Sequence, residues 1–162
     1  MPGRPPLTAR LLALALLLLA AGCTSSDEPA PQATGPVDVP VPTVDEATRA
    51  SCAALAAALP VEVDPGVERR PVTGDEQLTA AWGDPPVTLE CGVPDPERPD
   101  EPVTVNGVAW SVRDVGAGYR WTTRGLMTNV AVEIPDGYDN GAEIVNPLAE
   151  PVLAALEPTP SG

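Results

Sequence analysis

The fold is decided by residues 108–134, which read VAWSVRDVGAGYRWTTRGLMTNVAVEI. Apolar and polar side chains alternate along three successive runs of this stretch. The apolar or aromatic members are Val108, Trp110 and Val112 in the first run, Tyr119 and Trp121 in the second, and Val130, Val132 and Ile134 in the third. Because successive side chains of a strand point to opposite faces of a sheet, this alternation predicts three strands that each bury one face.

Shorter strand-like runs precede this stretch. Two of these runs are Thr79–Trp82 and residues 87–91. The Gly-Asp-Pro-Pro sequence between them, at residues 83–86, is typical of a turn. Val103–Val105 is followed by Asn106 and Gly107, a strong hairpin-turn pair. One-sided alternation along all these runs predicts an antiparallel sheet of about five strands with one covered face and one wetter face.

An N-terminal helix is predicted to cover part of the sheet. Thr43 and Glu46 have the spacing of a capping box, and Pro60 marks the end of the pattern. The apolar residues between them recur at helical spacing and are Cys52, Leu55, Ala56 and Leu59.

A C-terminal helix is predicted on the same face. Its apolar residues lie four apart and are Ile144, Leu148, Val152 and Leu156. Pro147 and Pro151 conflict with one continuous helix, so a break is expected near Asn146, with Pro147 in the first turn of the final segment. The sequence as a whole predicts an α+β fold, a single domain with both helices packed on one face of the sheet.

The N-terminus has the pattern of a signal peptide. Arg4 and Arg10 precede an apolar run at residues 11–21, which is too short to cross a hydrocarbon core of about 30 Å. Small residues then lead into Cys23, and this pattern resembles the lipobox of bacterial lipoproteins, which implies that Cys23 carries a lipid. Ordinary signal-peptidase cleavage and a retained anchor are the alternatives. We expect the protein at the outer face of the cell membrane.

The chain is expected to divide into four parts. A signal peptide (1–22) is followed by the lipidated cysteine and a disordered stalk (23–43), a globular extracytoplasmic domain (44–157) and a disordered tail (158–162). The stalk is rich in proline and acids and has no aromatic residue, so it cannot bury enough apolar surface to order itself. The nineteen residues 24–42, near polyproline geometry, would reach at most about 60 Å.

Cys52 and Cys91 remain once Cys23 is assigned to the lipid. Both lie on the predicted inward face of their elements, and the chain is expected to be secreted, so we predict a disulfide between them. Two buried free thiols or a redox pair are the alternatives, although a redox pair usually has CxxC spacing.

The composition excludes several classes of function. The chain has 162 residues, a formal charge of −14 and no histidine, and all nine basic residues are arginine. Without histidine or lysine there is no imidazole base, Schiff base or P-loop lysine. The acidic charge argues against a nucleic-acid partner. The acidic stretch from Asp136 fails the calcium-loop pattern, because Tyr138 occupies position 3 and Pro147 position 12, and a loop with a helix cap is predicted instead. We expect no metal and no cofactor.

Three sets of residues are candidate sites, each with a structural alternative. Arg113, Arg120 and Arg124 on the outer sheet face could bind an anion, or could pair across strands with Glu90 and Glu133. Trp82, Trp110, Tyr119 and Trp121 could form a stacking platform for a ligand, or the bulk of the core. Asp84 with Glu90 or Asp114 could in principle hydrolyse a glycoside, a weak signal among twenty-three acids.

Four short motifs resemble those of a known family. They are Ala-Trp-Gly-Asp-Pro (81–85), Leu-Glu-Cys-Gly-Val (89–93), Gly-Tyr-Arg-Trp-Thr-Thr (118–123) and Val-Glu-Ile-Pro-Asp (132–136). They resemble an actinobacterial lipoprotein family labelled domain of unknown function 3515. The resemblance implies a secreted or lipid-anchored protein with a shared fold, and it carries no catalytic residues.

These observations together predict a lipid-anchored extracytoplasmic protein of unknown function. A non-catalytic binding or assembly role in the envelope, with a protein or polymer partner, is the first hypothesis. The alternative is a carboxylate-dependent hydrolase that acts on an envelope polymer.

The lipid anchor is testable by one substitution. Cys23→Ala removes the sulfur that would be acylated, so we expect the protein to move from the membrane fraction to the medium. Immunoblots of both fractions measure the change. Retention of the variant in membranes would contradict the lipid anchor.

Overall fold

The antiparallel sheet is the central element of the structure, a computed structural model that describes residues 33–96 and 101–160. In chain order the strands of this part are β1 (Val37–Asp38), β2 (Arg69–Arg70), β3 (Val72–Thr73), β4 (Thr79–Trp82), β5 (Val87–Val93), β6 (Val103–Val105), β7 (Val108–Asp114), β8 (Gly118–Arg124) and β9 (Asn129–Pro135). The main sheet has the order β2-β4-β5-β9-β8-β7-β6, and its neighbouring strands run antiparallel. The α+β class and the antiparallel sheet are therefore confirmed.

The number of strands differs from the prediction. Seven strands of the described part form the main sheet, rather than about five, and β1 pairs with β3 in a separate parallel ladder. Strands β1, β2 and β3 have two residues each, too few to show an alternating pattern. The hairpin turn between β6 and β7 is confirmed, because Asn106 and Gly107 have φ values of 45° and 86°.

The N-terminal helix α1 spans Glu46–Ala58. Its N-cap is Asp45, whose Oδ1 accepts a hydrogen bond of 2.8 Å from the backbone N–H of Thr48. The capping box that begins at Thr43 is therefore wrong, because a carboxylate two residues later satisfies the free N–H group. The helix ends immediately before Leu59 and Pro60, as predicted.

The C-terminal helical region is interrupted as the prolines predict. Helix α2 spans Gly141–Val145, a 3₁₀ turn spans Asn146–Leu148, and helix α3 spans Ala149–Ala155. The break falls at Asn146, and Pro147 lies within the 3₁₀ turn. The four apolar residues with a spacing of four are all buried, at Ile144, Leu148, Val152 and Leu156.

The helices cover one face of the sheet and enclose the core. Trp82 and Trp110 are fully buried there, together with Leu89 and Val132. A disulfide joins Cys52 of α1 to Cys91 of β5, with a Cα–Cα distance of 5.7 Å. The core is thus formed by one sheet face, α1 and α3, linked covalently at the centre of the sheet.

Two segments expected to be disordered are partly ordered. The prediction of a disordered stalk through residue 43 is wrong at Val37 and Val39, which are 7% and 2% exposed and pack with Ala81 on the outer sheet face. The tail prediction is wrong at its start, because Pro158 pairs with Leu126 and the next residue continues this contact. The predicted signal peptide, Cys23, the first part of the stalk and the last two residues of the tail lie outside the described residues.

We predict that the disulfide supplies a large share of the stability. It closes a sequence separation of 39 residues, so Cys52→Ala with Cys91→Ala should lower the free energy of unfolding by about 4 kcal/mol. Urea unfolding followed by tryptophan fluorescence measures the loss. Reductant should destabilise the wild type and leave the double variant unaffected. Equal stability of oxidised and reduced wild type would contradict the prediction.

Candidate functional site

The predicted arginine face lies on the side of the sheet opposite the helices. Arg113 of β7 and Arg120 of β8 are directly opposite each other in register. Arg124 pairs in register with Ala109 and lies four residues beyond Arg120 on β8, a separation of about 13 Å along the strand. The structure therefore brings two of the three arginines together.

Arg120 is engaged in ion pairs within the sheet. Its Nη2 lies 2.9 Å from Glu90 Oε2, and its Nη1 lies 3.3 Å from Glu133 Oε2. The hydrogen bond to Glu90 is the main cause of a raised pKa of the guanidinium. The cross-strand pairing offered as the alternative to an anion site is thus present at Arg120, whose side chain joins three adjacent strands.

The carboxyls suggested for hydrolysis are dispersed. Glu90 is bound to Arg120, whereas Asp114 lies three strands away, at least about 14 Å in the plane of the sheet. The Asp114 side chain accepts a hydrogen bond from Gly116 N–H in the turn after β7. Asp84 lies in the 83–86 turn, 4.0 Å from Arg70. The predicted partners of Asp84 thus lie apart from it: Glu90 is about 10 Å along β5 from the start of that strand, and Asp114 is on β7, three strands from β5.

The aromatic residues are divided between the core and a cleft. Trp82 and Trp110 are fully buried, which confirms the interpretation that these two residues belong to the core. Trp121 is 8% exposed and Tyr119 is 49% exposed. Both line a cleft of about 230 Å³, which we call the aromatic cleft. Its other lining residues are Val112, Ile134, Pro135, Asp136, Gly137, Tyr138, Asp139 and Gly141.

Trp121 is fixed at the base of the aromatic cleft by packing on two sides. Its ring meets the ring of Trp110 edge to face, with a centroid distance of 6.4 Å and an interplanar angle of 70°. The start of α2 lies directly on the indole, and a Cβ at Gly141 would be 2.9 Å from it. Because the helix begins here with a glycine, it approaches closely and leaves one edge of the indole open to the cleft.

Tyr138 forms one wall and was not among the aromatic residues selected from the sequence. Its hydroxyl donates a hydrogen bond of 2.7 Å to the carbonyl oxygen of Pro85. Burial is the main cause of a raised pKa of this hydroxyl, and the negative charge of Asp84 raises it further. The sequence signal was the acidic turn that begins at Asp136, which is predicted to be a loop and helix cap rather than a calcium loop. That turn ends in a helix cap, because the Asn140 side chain accepts a hydrogen bond from Ala142 N–H.

The chemistry of the aromatic cleft is that of a binding site for non-anionic groups. Its rings present apolar faces, and the carboxylates of Asp136 and Asp139 accept hydrogen bonds without donating them. None of its described lining residues is an arginine. A ligand that offers apolar surface together with hydrogen-bond donors or a positive charge matches this lining.

The described residues contain neither a metal-binding cluster nor a membrane-spanning helix. In residues 33–96 and 101–160, no group of three or more Cys, Asp or Glu side chains is placed to hold a metal ion. Over the same ranges no helix has the length and apolarity needed to cross a membrane.

Comparison with known proteins identifies the family. The family model described as "Protein of unknown function (DUF3515)" matches residues 7–161. No curated protein and no solved structure matches the chain. Since the match covers nearly the whole sequence, the chain belongs to this family of unknown function.

The raised pKa of Tyr138 predicts a loss of stability at alkaline pH. A tyrosine with a raised folded-state pKa favours the folded state fully below its unfolded pKa of about 10, and this contribution disappears as the pH rises through the folded-state value. Tyr138→Phe should therefore be less stable than wild type at neutral pH and lose less stability above about pH 10. Thermal unfolding between neutral and alkaline pH measures both. Parallel pH profiles for the two proteins would contradict the prediction.

Proposed function

We propose that the protein is a lipid-anchored extracytoplasmic binding domain that acts without catalysis at the outer face of the cell membrane. The anchor is Cys23, and the binding site is the aromatic cleft. The proposal rests on the N-terminal sequence pattern for the location and on the half-open aromatic cleft for the activity. An envelope protein or polymer that enters the cleft is the expected partner.

The exposure of Tyr119 is the single observation that carries the binding role. A tyrosine ring in a domain of this size usually contributes to the core, and Phe is absent from the chain. Tyr119 instead leaves about half of its surface open, at the rim of a cleft whose base is a second aromatic ring. An open ring above a partly covered indole is suited to stacking against a ring or a cation.

The charge of the cleft defines the ligand class. The chain carries a formal charge of −14, which repels anions and raises the local concentration of cations. Asp136 and Asp139 add carboxylate acceptors at the cleft itself. The ligand group is therefore non-anionic and donor-rich, and it is supplied by either an amine-bearing or a hydroxyl-bearing envelope component.

Binding is favoured over hydrolysis by the positions of the acids. A glycosidase needs two carboxyls about 5–9 Å apart on either side of the bond to be cleaved. Asp84 lies in the turn before β5, whereas Glu90 lies about 10 Å along that strand and is held by Arg120, and Asp114 lies three strands away from β5. The aromatic cleft, in contrast, needs no proton transfer to bind a ligand.

A fluorescence titration tests the cleft, because Trp121 is its only tryptophan among the described lining residues. The Cys23→Ala protein is titrated with tetramethylammonium, with a neutral disaccharide and with sulfate. We expect the emission to change with the ammonium ion or the disaccharide and not with sulfate. Tyr119→Ala should weaken the productive interaction about tenfold, in line with a loss of 1–2 kcal/mol for an aromatic contact.

Met127→Ala is the matched control, because Met127 is exposed and lies outside the cleft. It should leave the titration unchanged. Asp136→Asn separates the two ligand classes, since the lost charge weakens binding of the ammonium ion more than binding of the disaccharide. Binding of sulfate alone, or equal affinities of the wild type and Tyr119→Ala, would contradict the proposed site.

A further inference from the structure

Residues 33–39 form an N-terminal strap across the outer face of the sheet. Val37 N–H donates a hydrogen bond of 2.9 Å to the carbonyl oxygen of Pro71, and Val37 and Asp38 pair in parallel register with β3. Val37 and Val39 are buried against Ala81. The Thr73 hydroxyl donates a hydrogen bond of 2.8 Å to the Asp38 carboxylate. Backbone pairing and apolar burial thus hold the strap together.

Arg70 fastens the first residues of the strap to the 83–86 turn. One guanidinium nitrogen donates a hydrogen bond of 2.8 Å to the carbonyl oxygen of Gly35, and another donates one of 2.8 Å to that of Gly83. The arginine side chain is only 11% exposed. Asp84 in the same turn accepts a hydrogen bond of 3.0 Å from Ala33 N–H. Two independent contacts therefore fix the point at which the chain enters the domain.

We propose that the strap shortens the membrane tether and turns the cleft end of the domain toward the bilayer. The inference rests on the lipid anchor at Cys23 proposed above. Ten residues separate Cys23 from Ala33, and even fully extended they span at most about 35 Å. A tether running free to residue 43 would reach roughly twice as far. The domain is thus confined to a narrow layer above the outer leaflet.

The orientation follows from the course of the strands. The 83–86 turn joins the end of β4 to the start of β5, and this end of the sheet also holds the end of β9 and the start of β8. Tyr138 of the aromatic cleft bonds to Pro85 in the same turn. The chain therefore enters the domain beside the cleft, while the β8–β9 turn with Met127 lies at the opposite end. Because the tether is attached at the cleft end, the cleft faces the membrane surface and binds molecules there.

Energy transfer from two positions measures the orientation in the full-length lipidated protein. Single cysteines replace Ala117, in the turn at the cleft end, and Met127, at the far end, and each is labelled with a donor dye. Cys52 and Cys91 are oxidised and buried, so the label enters only the added thiol. Acceptor dyes are placed on lipid headgroups. The seven residues of β8 separate the two labels by about 20 Å along the sheet.

We expect stronger transfer from position 117 than from position 127 in the wild-type background. Arg70→Met releases Gly35, and Ala33→Pro removes the N–H that Asp84 accepts without touching the core. When both substitutions are present, the difference in energy transfer between positions 117 and 127 should be lost. Arg113→Met, which removes an exposed arginine near the other edge of the sheet, should keep it. Equal transfer from the two positions in membrane-bound wild type would overturn the proposal.

Hydrogen exchange tests the strap independently of the lipid anchor. In the Cys23→Ala protein, which has no lipid, the Val37 amide should be protected in the wild-type strap and lose this protection with Arg70→Met and Ala33→Pro. A rapidly exchanging Val37 amide in the unaltered strap would overturn the strap itself. A failure of the lipid anchor gives a different result, since neither dye position would then transfer energy to the membrane while Val37 stays protected.

Discussion

The covalent bond between Cys52 and Cys91 fixes helix α1 to the inner strand β5, and the arrangement of the other layers depends on that link. Helix α3 packs beside α1 and extends the cover as far as β7. With α1 held in place, the large side chains of the inner face, above all Trp82 and Trp110, have one closed surface on which to pack. A chain without phenylalanine has few bulky groups with which to build a core, so a cross-link that limits the unfolded ensemble has a large relative effect.

The outer face is stabilised by different means, because none of the helices in the described part of the chain covers it. Its buried residues are small, including Ala81, Ala131 and Thr122, and longer polar side chains lie around them. The Arg120 guanidinium reaches Glu133 on the adjacent strand and Glu90 one strand farther, so a single cation ties β8, β9 and β5 together. At the edge formed by β2 and β4, the strap covers Ala81 with Val37 and Val39, so apolar packing replaces ion pairing there. Charge pairing at the centre and apolar cover at the edge thus divide the outer face between them.

The sequence was most informative where a pattern was long or stereochemically unusual. The strands β4 to β9 were predictable from alternation, and the turn at Asn106 and Gly107 from the positive φ values that these residues tolerate. The strap was not predictable, because the alternation of Val37 and Val39 is only three residues long and is surrounded by prolines. Their burial depends on Ala81, more than forty positions away, and on its orientation toward the outer face. Two of the three aromatic residues of the cleft, Tyr119 and Trp121, were predictable from the alternation. Tyr138 joins them through a tertiary contact with Pro85 that no local pattern encodes.

The 83–86 turn connects the two features that concern function. Asp84 accepts the Ala33 N–H of the strap, and its neighbour Pro85 accepts the hydroxyl of Tyr138 in the aromatic cleft. The same turn offers the Gly83 carbonyl to Arg70, and a Cβ at Gly83 would be 2.4 Å from the Tyr138 hydroxyl oxygen. The strap, Arg70 and the cleft wall therefore contact three consecutive residues, 83–85, and a displacement of this turn would alter all three contacts at once. The position where the chain enters the domain and the shape of the cleft are consequently set by one short element, which makes the Gly-Asp-Pro motif a structural requirement of both.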